Sequence, residues 1–149
     1  MKKIIFAFTS VAMLAAASVA GAGIAAKEPA QFSCKVKTYG HGGWVPERTK
    51  FTFLDGGSLV EIVDPYVLVS EGEPVTAQVK QLKNGKRRFK WGITLREQDG
   101  TKVAVSYRAD FDPEELTGRI KANIAFFPNG RMGGILDCQT GSKKVGKSK

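Results

Sequence analysis

The chain is poor in the residues that most enzyme chemistry uses. It has one histidine, His41, two cysteines, Cys34 and Cys138, and no long apolar run beyond its first two dozen residues. A single histidine cannot build a His-based zinc site, and it leaves His41 as the one base for a Ser-His-acid arrangement. Neither G-x-S-x-G nor H-E-x-x-H occurs. The acidic group Asp110, Asp112, Glu114 and Glu115 lacks the glycine and the terminal bidentate glutamate of an EF-hand loop. These absences predict a protein that is not an enzyme and carries no metal or cofactor.

What is present begins with the N-terminus. Met1-Lys2-Lys3 is followed by an uncharged apolar stretch from Ile4 to about Ala20 and then by small residues from Gly21 to Ala26. This order is that of a secretory signal peptide, so residues 1–26 are expected to be removed and the protein to be periplasmic or secreted. No later segment is expected to span a membrane. Residues 27–140 make one domain's worth of chain. The remainder, residues 141–149, is a lysine-rich tail with one apolar residue, Val145, and is expected to be disordered.

The formal charge of +9 suggests an anionic partner until it is apportioned. Lys2 and Lys3 leave with the signal, and Lys143, Lys144, Lys147 and Lys149 lie in the tail, so Lys27 to Ser142 carries only about +3. Nucleic acid is therefore not the expected partner.

An oxidising compartment favours pairing of the two cysteines. Phe32, Cys34 and Val36 share one face of the first strand-like segment, and Leu136 and Cys138 share one face of the last. Both sulfurs should point inward and form a Cys34–Cys138 disulfide.

From Gln31 onward the apolar pattern has period two, interrupted by turn residues. It predicts strands at about 31–39, 48–54, 58–63, 66–70, 75–82, 86–95, 101–109, 117–127 and 133–139. Asn84-Gly85 and Asn129-Gly130 suit two-residue hairpin loops, with Asp55-Gly56-Gly57 and Asp99-Gly100 as looser versions. Asp112-Pro113-Glu114-Glu115 is read as one capped helical turn. Phe51, Phe53, Phe89, Trp91 and Phe126 fall on core faces. The expected fold is all-β: a small antiparallel up-and-down barrel of eight or nine strands, lipocalin-like in general plan, with its first and last strands bridged. A two-sheet sandwich is the alternative.

Two candidate sites stand out. The hairpin cations Lys80, Lys83, Lys86, Arg87, Arg88 and Lys90 either form a solvated outer face or bind an anionic envelope polymer. The loop from Tyr39 through His41 to Trp44, rich in glycine, is either a ligand loop or a connection with Trp44 folded onto the core. The functional expectation is a non-catalytic binding protein, whose ligand is a small apolar molecule in the barrel or a macromolecule at its loops. The alternative is an envelope-associated protein that contacts anionic polymers through its basic hairpin and tail.

Overall fold

The computed structural model describes residues 30–40, 43–125 and 132–141. The expected signal segment, His41, Phe126, the Asn129-Gly130 turn and the tail after Gly141 lie outside them. Eight strands run in chain order: β1 (Ala30–Tyr39), β2 (Arg48–Leu54), β3 (Leu59–Val63), β4 (Val75–Gln81), β5 (Arg87–Arg96), β6 (Lys102–Asp112), β7 (Thr117–Ile124) and β8 (Met132–Thr140). Each pairs antiparallel with its neighbour in sequence, and β8 returns to pair with β1. The barrel is closed, which leaves no sheet edge, and the sandwich alternative does not form.

Closure is covalent as well as hydrogen-bonded. Cys34 and Cys138 stand directly opposite one another in the β1–β8 register and form the expected disulfide across 104 residues of sequence. The Cys138 N–H donates to the Leu116 carbonyl on the β7 side, 2.8 Å away. The bridged pair is thus a non-hydrogen-bonded one, the kind in which facing side chains come closest.

Two Asp-Pro dipeptides behave differently from expectation. The segment expected as a strand at residues 66–70 is a helix, α1 (Pro65–Glu71). Asp64 caps it by accepting from the N–H groups of Tyr66 and Val67 at 2.8 and 2.9 Å, Pro65 occupies the first turn, and Gly72 ends it in the left-handed conformation. Asp112 caps in the same way, accepting from Glu114 and Glu115 at 3.1 and 3.2 Å. Only four residues separate β6 from β7 there, and Leu116 at φ 55° already turns the chain back. That segment is a tight turn rather than a helix. Asn84 and Gly85 both adopt positive φ, as their sequence predicts, within a three-residue turn closed by Leu82 N–H on the Lys86 carbonyl at 2.7 Å.

Inside, aromatic rings interlock. Phe32 meets Phe111 edge-on at 4.9 Å, Phe51 meets Phe89 at 4.9 Å, and Phe89, Trp91 and Tyr107 stack in series at 6.0 and 5.1 Å. Such pairs contribute roughly 0.5–1.5 kcal/mol each beyond the area they bury. An eight-stranded barrel is just wide enough for its side chains to fill. Phe51, Phe53, Phe89 and Trp91 occupy the core as expected.

Among the described residues no helix is long and apolar enough to cross a membrane. The strands carry apolar side chains inward and charged ones outward, the reverse of a transmembrane barrel's polar lumen and apolar belt.

Candidate functional site

The outer face of β5, β6 and β7 gathers cations that lie far apart in sequence. Period two sends Arg88 and Lys90, Arg108 and Asp110, and Arg119 and Lys121 outward. The register then aligns Lys90 with Arg108 and Arg108 with Lys121, so three cations leave the sheet side by side. Neighbouring strands lie about 4.8 Å apart, and the row therefore spans about 10 Å. Like charges directly opposite one another destabilise a sheet. The next row aligns Arg88, Asp110, Arg119, Ile135 and Lys37.

Asp110 is the one carboxylate in these two rows. It accepts two hydrogen bonds from the Arg88 guanidinium, from Nε to Oδ1 and from Nη2 to Oδ2, the latter at 3.0 Å, and Arg108 Nε lies 3.9 Å from Oδ2. The Arg88 hydrogen bond, opposed by burial and aided by the charges of Arg88, Arg108 and Lys121, holds the Asp110 carboxyl below its usual range. The same bond raises the Arg88 guanidinium. One carboxylate thus ties down one arginine, while Lys90, Arg119 and Lys121 have no ion pair among the described residues.

Beyond Lys121 the row of three cations continues to Gly133 and Tyr39. The Tyr39 ring lies across Gly133: a Cβ there would meet the phenol oxygen at 2.7 Å. Only glycine leaves the room that lets this ring lie on the sheet. Tyr39 is 41% exposed and Ile135, in the next row, 49%.

The cations expected from the hairpin separate into three settings. Lys80, Lys83 and Lys86 are exposed on or beside the β4–β5 turn. Arg87 has the inward parity of Phe89, and its guanidinium stacks 4.4 Å from the centre of the Phe53 ring at the barrel mouth, packed against Gly57. Among the described residues its buried Nε has no hydrogen-bond partner. Arg88 and Lys90 join the β5–β7 face. Arg108, Arg119 and Lys121 are additions that a run-of-charge reading misses. Their signal was the outward parity of Arg108-Ala109-Asp110 and Arg119-Ile120-Lys121, which needs the strand register to acquire meaning.

Trp44 packs against the core, and two tyrosines hold its loop. The Tyr107 hydroxyl donates to the Trp44 carbonyl at 2.7 Å and the Tyr66 hydroxyl to the Gly43 carbonyl at 2.7 Å. Burial pushes both phenols above their ordinary range, aided by the charge of Asp64. Tyr39 and Trp44 therefore part company, one on the outer sheet and one against the core. Among the described residues no three His, Cys, Asp or Glu side chains converge on a possible metal position. No family model, curated protein or solved structure matches the chain.

Proposed function

We propose that the protein is an exported, non-catalytic binding protein that holds an anionic envelope polymer against the outer face of β5, β6 and β7. The observation that carries this reading is the aligned row Lys90, Arg108 and Lys121, with a single carboxylate in the row beside it. Phosphate or carboxylate groups repeated along a polymer relieve the repulsion that the row builds in. Export is supported by the signal-like N-terminus and by the disulfide, which persists in an oxidising compartment.

The test is retention of the bridged protein on immobilised lipopolysaccharide across a salt gradient. Replacing Lys90, Arg108 and Lys121 together by Ala should flatten the dependence of log affinity on log salt by about two units or more, because each neutralised anionic group releases its counterions. Retention that ignores salt, or that survives this triple replacement, refutes the reading.

A further inference from the structure

We propose a second site, separate from the cationic face: the groove between α1 and the outer side of β8, β1 and β2 binds a single-chain acyl anion. The groove measures about 570 Å³, within the range of small-ligand sites. Its two sides differ in chemistry. Val63, Pro65 and Leu68 supply an aliphatic wall where β3 passes into α1, and Lys35, Arg48 and Lys50 supply three cations from β1 and β2. Lys35 and Arg48 stand directly opposite one another in the register.

The carboxylates near these cations leave charge over. The Asp64 carboxylate is turned to the start of α1, where one oxygen accepts from both Tyr66 and Val67. Asp137 faces Lys35 from β8, yet among the described residues Lys35, Arg48 and Lys50 form no ion pair.

An aliphatic wall beside unneutralised cations selects an amphiphile with an acidic end. Leu68, 46% exposed, leaves apolar surface at the helix side of the groove for the chain to cover. A wall of valine, proline and leucine without aromatic rings favours a flexible acyl chain over a flat anion. Charge complementarity assigns its carboxylate to the Lys35 and Arg48 side.

Equilibrium dialysis of the full, bridged protein with myristate, below the concentration at which it forms micelles, tests this directly. Saturable binding of one myristate per chain is expected, weakened about tenfold or more by Leu68→Asp and by Arg48→Glu, with methyl myristate binding at least about tenfold more weakly than the acid. Both substituted side chains are exposed at the surface, and an unchanged near-ultraviolet spectrum of the buried tryptophan confirms that each variant is folded. Absence of saturation, equal binding of the ester, or indifference to Arg48→Glu overturns the proposal. Leu68→Asp should leave lipopolysaccharide retention and its salt dependence intact, so this site and the polymer face fail independently.

Discussion

The inner and outer faces of β5, β6 and β7 are built from alternate residues of the same three strands, and they follow opposite rules. Inside, Phe89 sits beside Ala109 and Ala109 beside Ile120, large against small, so that every contact is favourable. Outside, one residue further along, Lys90 sits beside Arg108 and Arg108 beside Lys121, and each neighbour repels. A sheet can carry such a row because the buried face already holds its strands in register. The stabilising core and the proposed binding surface thereby occupy different sides of one set of strands.

Substitutions that strike the inner side should cost stability and leave binding by the folded fraction alone. The largest effect belongs to the bridge. Replacing Cys34 and Cys138 by Ser should lower unfolding free energy by about 4–5 kcal/mol in the chain-entropy treatment of a closed loop near 100 residues, read as a fall in the urea midpoint. Phe51→Ala follows at about 3–5 kcal/mol, because its fully buried ring touches both Phe89 and Phe111. If either substitution abolished polymer retention in molecules still folded, the separation of the two faces would be wrong.

Asp110→Asn sharpens the comparison, since Asp110 is an outer residue with a structural bond. Its carboxyl is depressed in the folded state, chiefly by the Arg88 hydrogen bond. Its contribution is therefore fully present above the unfolded value of about 3.9 and is lost as pH falls through the lower folded value. The urea midpoints of wild type and Asp110→Asn should differ at pH 7 and converge in acid. The substitution also removes the one negative charge of these rows, so retention on lipopolysaccharide should strengthen at neutral pH. The smallest stability effect is expected from the triple replacement of Lys90, Arg108 and Lys121: an unchanged or slightly raised urea midpoint together with lost retention.

Much of the fold was legible in the sequence because a barrel strand with one buried face must alternate. Phe89, Trp91 and Ile93 against Arg88, Lys90 and Gly92 carried that alternation plainly, and inward parity of both cysteines was enough to pair them. The Tyr66–Ser70 segment was not legible by the same rule. Tyr-Val-Leu-Val is a short apolar run with strong strand propensity and no resolvable period. Asp64, Pro65 and Gly72 decided the outcome, through a cap at each end of a seven-residue helix. The candidate site was legible only in its β5 part. A run of cations in one hairpin is visible along the chain, whereas a row crossing three strands exists only once Lys90, Arg108 and Lys121 are in register. Conversely, Arg87 belonged to the run by sequence, while its parity placed it over Phe53 at the barrel mouth.

The position of the bridge also has a mechanical meaning. Cys34 and Cys138 face each other across the two strands that close the barrel, with four residues of β1 before the bridge and two of β8 after it. Tension applied between the two ends of the chain passes from β1 to β8 through the sulfur atoms, and only the few residues outside the bridge can peel. The ladders from β2 to β7, and the cationic face they carry, bear none of that load. A bridged barrel can be tethered at its ends and pulled without disturbing the row of cations on β5, β6 and β7.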